Sequence, residues 1–351
     1  METAFLLRYS PWIMFQVQIA RFGGPDALRL TEVPSLPPGP GSVRIAVSAA
    51  GVNFADVQMR MGLYPEAPRT PFVPGFEVAG VVSEVGAGVT GFRRGQRVLA
   101  ACRFGGYSSE IVLPASQVRA TPRRLSDREA ASVPIAFATA WVALMDIARV
   151  REGDRVLVPG AAGGVGTAMV QIAARAGAEV VAVVGSPAKK EKVRALGAHR
   201  ALTYEELDSG RPRDGRDFSI VLEPRGGPHV RESMRRLAPG GRVICYGVSS
   251  IVAGERRSIP HVVRRMLQTP VLTPVGLQMA NRGIHGLNML KLFDSEEGLS
   301  ILLGAFDQVL DNIQSGLFKP IVSRAFPSAK ASEAHEFLQS RKSIGKVVIS
   351  F

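Results

Sequence analysis

Cysteine and histidine are both scarce in this chain of 351 residues. Its two cysteines, Cys102 and Cys245, cannot build a disulfide framework, and we expect both to be core thiols in a reducing compartment, the cytoplasm. Since Cys102 is the one thiol before residue 245 and no histidine precedes His199, a three-ligand Cys/His zinc site is excluded from the first half of the chain. The five histidines are scattered, and each is expected to be a surface or local hydrogen-bonding residue: His199, His229, His261, His285 and His335.

Long apolar runs are also missing. The most apolar stretch, residues 131–148, contains a proline and an aspartate and falls short of a comfortable membrane span, so it predicts a buried helix. We interpret residues 1–14 as an N-terminal extension. Arg8 and Pro11 interrupt its apolar residues and no small-residue cleavage site follows, which argues against a signal peptide.

The charges are unbalanced, because 43 Lys and Arg residues against 30 Asp and Glu residues give a formal net charge of +13. The basic clusters are spread along the whole chain, which is typical of a generally basic surface and not of a specific nucleic-acid-binding stripe. Attraction to a membrane surface or to an acidic carrier stays as a weaker alternative. The clusters lie at residues 93–94, 123–124, 211–216, 235–236, 256–257 and 264–265.

A glycine-rich segment is the most informative feature that is present. The apolar run at residues 156–159 leads into Gly-Ala-Ala-Gly-Gly-Val-Gly at residues 160–166, and a helical pattern with one apolar face follows. A strand, a glycine loop and a helix begin a dinucleotide-binding unit. We expect Gly163 to permit a tight turn, Gly164 or Gly166 to allow close approach of the cofactor, and the helix N-terminus to face its pyrophosphate. The predicted cofactor-binding residues of this loop are Ala162, Gly163, Gly164, Val165 and Gly166.

The segment after the next strand indicates which dinucleotide is bound. The run at residues 179–184 predicts a buried parallel strand, and an NAD-preferring site would have Asp or Glu near its end. This chain has Gly-Ser-Pro-Ala-Lys-Lys at residues 185–190 instead. The hydroxyl of Ser186 and the ammonium of Lys189 or Lys190 suit a 2′-phosphate, although Lys190 fits a solvated helix face better. The sequence therefore favours NADP(H) over NAD(H).

The pattern of the chain changes near residue 134. Short β-type runs separated by Pro/Gly clusters occupy residues 15–134, and strand–helix alternation follows over residues 135–275. This alternation predicts an α/β fold with a doubly wound parallel sheet of the Rossmann type. The tail, residues 276–351, is expected to return to the β-rich first domain and complete it. Its helical pattern and its β-type runs lie at residues 299–314, 319–322 and 346–350.

A set of motifs occurs in a fixed order over nearly the whole chain. They are Gly-Val-Asn-Phe-Ala-Asp at residues 51–56, Gly-Leu-Tyr-Pro at 62–65, Pro-Gly-Phe-Glu at 74–77, Gly-Ala-Gly-Val at 86–89, Gly-Gln-Arg-Val at 95–98, Leu-Ala-Pro-Gly-Gly-Arg at 237–242 and Gly-Lys-Val-Val at 345–348. With them the chain resembles a zinc-independent medium-chain dehydrogenase/reductase of the quinone oxidoreductase branch. Residues 281–288 further resemble the subgroup that is similar to VAT-1. Residues 52–56 resemble the enoyl reductase domains of polyketide synthases. The resemblance implies a GroES-like catalytic domain beside the Rossmann domain.

The resemblance also implies which chemistry is missing. Zinc-dependent members have a Cys where Asn53 stands and a His where Phe76 stands. Oxidation of a simple alcohol needs a group that stabilises an alkoxide, and none of the five tyrosines is followed four residues later by the Lys that short-chain dehydrogenases use. Quinones and α,β-unsaturated carbonyls are the substrates left, because they delocalise the incoming charge and hydrogen-bond donors suffice to stabilise it.

These points predict an NADPH-dependent, zinc-independent reductase of quinones or activated enones. An enoyl-thioester reductase of polyketide or lipid metabolism is the nearest alternative, with the basic surface facing an acidic carrier. A non-catalytic cofactor-binding protein with a lipid or RNA partner is the third. Residues 271–275 resemble the strand at which family members pair, which predicts a homodimer.

The resemblance assigns roles to side chains of the acceptor pocket. Asn53 would orient substrate or nicotinamide through its amide, or only cap the helix that begins near Ala55. Tyr64 is the candidate proton donor or substrate hydrogen-bond partner. Alternatively, Tyr64 only belongs to a turn packed on the core, and bulk water supplies the proton. Glu77 matches an acidic position retained from the zinc enzymes and is either functional or structural.

It also assigns the remaining cofactor contacts. Thr139 would lie near the nicotinamide, or be an ordinary threonine of a buried helix. Tyr204 and Arg341 would lie at the adenosine phosphate end, with Lys342 as an alternative to Arg341. Tyr246 and Gly247 close a strand at the carboxyl edge of the sheet, where ligands bind in such folds.

Overall fold

The computed structural model describes residues 13–210 and 217–351. Most of the expected N-terminal extension and the arginine-rich segment at 211–216 lie outside the described residues. Within the described ranges, no helix combines the length and the apolar character that a membrane crossing needs.

The first part of the chain is mostly strand, as its β-type runs predict. Its strands and helices are β1 (Ile13–Ile19), β2 (Leu28–Pro34), β3 (Ser42–Val52), α1 (Phe54–Arg60), β4 (Glu77–Val85), β5 (Arg97–Ala101), β6 (Glu110–Pro114), β7 (Val118–Ala120) and α2 (Asp127–Ala130).

Strands and helices alternate in the middle of the chain. They are α3 (Pro134–Trp141), β8 (Arg155–Pro159), α4 (Gly164–Arg175), β9 (Glu179–Val184), α5 (Lys190–Arg194), β10 (Arg200–Thr203), α6 (Tyr204–Asp208), β11 (Phe218–Glu223), α7 (His229–Arg235), β12 (Leu237–Cys245), α8 (Ile259–Leu267), α9 (Pro274–Ala280) and β13 (Gly283–Gly286). The predicted helix at residues 131–148 begins at Pro134, and its last part, Val142–Ile147, is a π-helix.

The tail adds two helices and two strands to the described chain. They are α10 (Glu296–Gln314), β14 (Val322–Pro327), α11 (Ala331–Gln339) and β15 (Lys346–Ser350).

The middle strands form a parallel sheet in the order β10–β9–β8–β11–β12–β13, which confirms the predicted doubly wound fold. All five residues of β8 are buried and so is nearly all of β9, because a parallel sheet is covered by helices on both faces. Since β13 belongs to it, this sheet reaches residue 286, beyond the domain boundary expected at 275.

A second sheet has the order β14–β15–β3–β4–β5–β7, with β6 also paired to β3. The tail strand β15 runs antiparallel to β3, and β14 runs parallel to β15. The end of the chain therefore returns to the β-rich first part, as its two β-type runs suggest. This return brings Lys346, the first residue of β15, beside the end of β3.

Two β-type runs of the sequence are not strands. Residues 271–275 are an exposed stretch that leads into α9, and the exposed edge of the parallel sheet is β13 instead. Pro270 and Pro274 explain the difference, because a proline has no N–H to donate to a strand ladder and Pro274 suits the first turn of a helix. The run at 319–322 yields only the first residue of β14, since the backbone N–H and C=O of Lys319 bond to the side chain of Gln171.

Candidate active site

The glycine loop joins β8 to α4 at the carboxyl edge of the parallel sheet. Gly160 has a φ of 71°, a left-handed conformation that favours glycine. Gly163 closes this turn, because its N–H donates to the Gly160 carbonyl at 2.9 Å, and it is the N-cap of α4 with an ordinary φ of −77°. A Cβ on Gly166 would lie 2.7 Å from Ala161 Cα, so glycine is needed where the helix packs on the loop.

The first turn of α4 presents free N–H groups. Gly164, Val165 and Gly166 are its first three residues, so their N–H groups have no acceptor within the helix, and the N-cap glycine has no side chain to offer them. Ala162 is fixed just before this turn, because its carbonyl accepts the N–H of Gly345 at 2.8 Å. The helix end therefore has the free donors that a pyrophosphate needs, and its binding there stays a prediction.

A cleft of about 490 Å³ lies at the far end of the loop. Tyr204 stands in its wall with its hydroxyl near Gly160, and the guanidinium of Arg225 lies 5.1 Å from the centre of its ring. Burial raises the pKa of Tyr204, so the hydroxyl is a hydrogen-bond donor at neutral pH. The lining residues are Gly185, Pro187, Thr203, Tyr204, Glu205, Glu206 and Ser209.

Lys189 connects this cleft to the tail of the chain. Its Nζ donates to the backbone carbonyls of Arg341 at 2.6 Å and Ser343 at 2.8 Å, and burial lowers its pKa. The two bonds hold Arg341, whose own side chain is exposed, beside the end of β9, where Ser186 is half-buried. The structure thus brings Ser186, Lys189 and Arg341 to one region. The neighbouring Lys190 is paired with Glu206 at 2.6 Å.

Tyr246 and Gly247 follow β12 at the same edge of the sheet. A Cβ on Gly247 would lie 2.7 Å from the carbonyl oxygen of Pro224, so the backbone passes too close there for any side chain. Burial raises the pKa of Tyr246. Nearby, the fully buried Glu223 holds Arg225 through its guanidinium at 3.0 Å and so fixes the cation over Tyr204.

Three polar side chains meet where β3 ends, and we call Asn53, Glu77 and Lys346 the lysine cluster. Lys346 Nζ lies 2.6 Å from Glu77 Oε1 and 2.7 Å from Asn53 Oδ1, and Asn53 Nδ2 lies 3.0 Å from Glu77 Oε1. Glu77 is 0% exposed and Lys346 5%, whereas Asn53 is half-buried. Asn53 is also the N-cap of α1 and forms a capping box with Asp56, so its amide both caps the helix and is bonded within this cluster.

A second group of buried residues lies behind Asn53, and we call Asp56, Arg60, Tyr107 and His335 the aspartate cluster. The Asp56 carboxylate accepts the backbone N–H of Asn53 at 2.8 Å and lies 3.1 Å from the Tyr107 hydroxyl, which is 3.1 Å from His335 Nε2. Burial raises the pKa of Asp56 to about 7, and burial next to Arg60 lowers that of His335 to about 3. The expectation that His335 is a surface or locally bonded residue is therefore wrong, because α11 packs it against a residue far away in sequence.

Tyr64 and Thr139 differ in whether their hydroxyl groups already have a hydrogen-bond partner. Tyr64 is half-buried, and among the described residues its hydroxyl has no hydrogen-bond partner. Burial raises its pKa to about 12. Thr139 is 4% exposed and its hydroxyl donates to the Ile135 carbonyl of its own helix at 2.6 Å, which is the bonding of an ordinary helical threonine.

The sequence indicates roles for Asn53 and Glu77 but none for Lys346, Asp56 or Tyr107. A signal for Lys346 was present, since it is a lone charge directly before the apolar run of β15. No comparable signal marks Tyr107, which becomes a partner of Asp56 only through the folded sheet.

Two family models match this chain. One is described as "Alcohol dehydrogenase GroES-like domain" and matches residues 39–123, and the other as "Zinc-binding dehydrogenase" and matches residues 196–349. The chain is 32% identical over 333 residues to a rat "Synaptic vesicle membrane protein VAT-1 homolog", covering 93% of this chain and 82% of the relative. It is 34% identical over 327 residues to a "Quinone oxidoreductase-like protein 2 homolog" of Nematostella vectensis, covering 89% and 82%.

Solved structures agree with these relatives. A mycobacterial protein complexed with NADPH matches with a TM-score of 0.82 and 29% identity over 96% of this chain and 100% of that chain. The CurK enoyl reductase matches with a TM-score of 0.81 and 28% identity over 96% of this chain and 99% of that chain. A nicotinamide cofactor is therefore supported for this fold, and the glycine loop has the shape to hold one.

Zinc, in contrast, does not fit the residues present, although one family description names it. Phe76 is buried in the core, and Asn53 is bonded to the cation of Lys346. Burial raises the pKa of the Cys102 thiol, which disfavours the thiolate that would bind a metal. Within residues 13–210 and 217–351, no three His, Cys, Asp or Glu residues are grouped to hold a metal ion. The chain belongs to the medium-chain dehydrogenase/reductase family, in the zinc-independent quinone oxidoreductase branch.

Proposed function

We propose that this protein is an NADPH-dependent oxidoreductase that reduces quinones or α,β-unsaturated carbonyls by hydride transfer. The observation that carries the proposal is the position of Lys346. A Cβ on Gly164 would lie 2.5 Å from Lys346 Cδ, while Lys346 Nζ bonds to Asn53. Lys346 thus contacts both the cofactor loop and the Asn53 amide, and Asn53 is partly exposed to solvent.

The preference for NADPH is supported by the donors near Tyr204. Ser186 offers a hydroxyl and Arg341 has an exposed guanidinium. Two of the three N–H groups of Lys189 donate to carbonyls, which leaves one to donate to a ligand. Two carboxylates also line this cleft, Glu206, which pairs with Lys190, and the exposed Glu205. A 2′-phosphate would therefore meet more donors than acceptors here.

Titrating the protein with NADPH and NADH, followed by cofactor fluorescence, tests this preference. We expect Lys189→Met to weaken NADPH binding by about tenfold and NADH binding far less, since it removes one charged hydrogen bond to the phosphate. Lys192→Met is the matched control, because Lys192 is exposed on α5, the short helix that begins directly after Lys189. Equal affinity of the wild-type protein for both cofactors would contradict the proposal.

The acceptor pocket suits a substrate that becomes negatively charged. NADPH, when bound, supplies the hydride. A quinone or an enone that accepts it becomes a phenolate-like anion or an enolate, which hydrogen-bond donors stabilise. Asn53 offers an amide N–H, and Tyr64, whose pKa burial raises to about 12, stays protonated at neutral pH. The final proton comes from Tyr64 or from bulk water.

A panel of quinones, enones and enoyl-thioesters, assayed for NADPH consumption with the purified protein, tests the function. Turnover of quinones or enones supports the proposal. Turnover limited to thioesters would favour the enoyl-thioester reductase, which the similarity to the CurK enoyl reductase keeps as the second candidate. NADPH binding without turnover of any acceptor would contradict both.

We also propose a homodimer, a cytoplasmic location, and a division into a catalytic domain of residues 15–134 with the tail and a nucleotide domain that begins at residue 135 and extends past the expected boundary at 275 to include β13. The dimer is supported by exposed apolar side chains beside the free edge of β13, which include Val271 at 91% and Met279 at 83% exposure. A monomer mass by light scattering at micromolar concentration would contradict it.

A further inference from the structure

The lysine cluster determines which way round the amide of Asn53 lies. An ammonium group only donates hydrogen bonds, so the atom of Asn53 that lies 2.7 Å from Lys346 Nζ is the amide oxygen. Glu77 Oε1, bonded to Lys346, accepts from the amide nitrogen at 3.0 Å. The opposite orientation would place N–H groups against the ammonium and the amide oxygen against the carboxylate.

Both charged partners are themselves held in place. Glu77 Oε2 accepts the backbone N–H of Ile135 at 2.8 Å, and a Cβ on Gly51 would collide with Glu77 Oε1. Lys346 Nζ also donates to the carbonyl of Val52 at 3.1 Å, so its three N–H groups all have acceptors. Neither side chain is free to turn toward a ligand without breaking these bonds.

One polar hydrogen of the cluster is left over. Asn53 Nδ2 gives one N–H to Glu77, and no acceptor among the described residues takes the other. Asn53 is also the member of the cluster that is only half-buried. The cluster therefore presents a hydrogen-bond donor toward solvent at Asn53.

We propose that Glu77 and Lys346 are positioning residues that fix the Asn53 amide with an N–H, and not its oxygen, toward the solvent-exposed side where a ligand would bind. This inference rests on the proposed function and deepens it. The group that Asn53 meets is then a carbonyl oxygen, of the substrate or of the nicotinamide carboxamide. A substrate carbonyl gains negative charge on hydride transfer, and the fixed N–H stabilises it without first having to reorient.

The double variant Glu77→Gln/Lys346→Met tests this orientation. It removes both charges together, which avoids leaving one buried charge unpaired, and a glutamine accepts either orientation of Asn53. We expect kcat with a quinone acceptor to fall about 10- to 100-fold, the effect of losing an oriented hydrogen bond to a charged group. A parallel weakening of NADPH binding assigns the carbonyl to the nicotinamide, and unchanged NADPH binding assigns it to the substrate. Unchanged kcat and unchanged NADPH binding would overturn the inference.

Asn53→Ala separates positioning from direct action. If the two charges act through Asn53, adding Glu77→Gln/Lys346→Met to Asn53→Ala lowers kcat little further; if they act on the ligand themselves, the losses multiply and the inference is wrong. Lys330→Met is the control, since it removes a lysine paired with Glu333 at 2.9 Å on the surface.

A measurement without turnover distinguishes failure of the inference from failure of the proposed function. The side-chain amide of Asn53, identified by the ¹⁵N-correlated signals that Asn53→Asp removes, is followed by hydrogen exchange in the protein alone. We expect exchange to become about tenfold faster in Glu77→Gln/Lys346→Met, since the bond to a charged acceptor is lost. Unchanged exchange would overturn the inference, whatever acceptors the wild-type protein reduces.

Discussion

The side chain and the backbone of Asn53 belong to two different buried clusters. Its amide joins the lysine cluster, in which Glu77 faces an ammonium at 2.6 Å. Its N–H joins the aspartate cluster, in which Asp56 faces a phenol at 3.1 Å. In the second cluster, burial pushes the pKa values of Asp56 and His335 toward the neutral form of each group. Glu77 is thus in direct contact with a cation, whereas the hydrogen-bond partners of the Asp56 carboxyl group are backbone N–H groups and a phenol.

The two clusters also differ in their access to solvent. The lysine cluster reaches solvent through Asn53, whereas Asp56, Arg60, Tyr107 and His335 are all 0% exposed. Arg60 Nε and Nη1 and His335 Nδ1 lack hydrogen-bond partners within the described ranges. A strongly shifted pKa near a cleft is often read as a sign of catalysis, but here the shifted groups belong to the closed cluster. We therefore expect the lysine cluster to position a ligand and the aspartate cluster to support the fold.

Removing Lys346 alone should have the largest effect on stability. Lys346→Met leaves Glu77 buried without its cation, and loss of one partner of a buried pair costs about 3–5 kcal/mol of unfolding free energy. Adding Glu77→Gln should restore most of this loss, because no buried charge is then left unpaired. Denaturant unfolding of both variants measures the difference. A double variant as unstable as Lys346→Met would mean that the pair is not the source of the effect.

The aspartate cluster should respond to pH instead. Burial raises the pKa of Asp56 from 3.8 to about 7, so its contribution to stability is present at low pH and is lost as the pH rises through about 7. Burial lowers the pKa of His335 from 6.5 to about 3, so its contribution is present above pH 6.5 and is lost as the pH falls below that value. Between 3.8 and 6.5 the folded chain protonates Asp56 while the unfolded chain protonates His335, and the two effects cancel.

Single variants should expose the two opposed slopes. Relative to the wild-type protein, the stability of His335→Gln should rise as the pH falls from about 6.5 to 4, by up to about 1.4 kcal/mol per pH unit. Asp56→Asn should show the opposite slope of similar size over the same range. Unfolding free energies measured at several pH values in one buffer series give both slopes. Parallel profiles of the three proteins would show that these groups do not titrate as their burial implies.

The sequence predicted the glycine loop well because its signal is local. A strand, a reversal and an apolar helix face follow within about twenty residues, and the periodicities of strand and helix are independent of the rest of the fold. Which glycine adopts the left-handed conformation could not be predicted, since φ depends on where the chain reverses and not on which glycines are available. Gly160 reverses it.

The two clusters were harder to predict because they are assembled from distant segments. Lys346 and Asn53 are 293 positions apart, and Tyr107 and His335 are 228 apart. A single sequence carries no record of such pairings, which arise only when the tail strand β15 docks on β3 and α11 packs behind it. The motif containing Asn53 was therefore visible, but the partners that orient its amide were not.

The smallest of these effects should come from Tyr107→Phe, and it tests whether the clusters are separate. The substitution removes the hydroxyl between Asp56 and His335, so each loses a buried hydrogen-bond partner, at a cost of about 1–3 kcal/mol. Because the bonds between Asn53 and Asp56 do not involve the Tyr107 hydroxyl, kcat and NADPH affinity should stay at the wild-type values. Denaturant unfolding and steady-state kinetics on the same preparation measure both. A fall in kcat comparable to that of Glu77→Gln/Lys346→Met would show that Asp56 also helps to orient Asn53, and the two clusters would then be one.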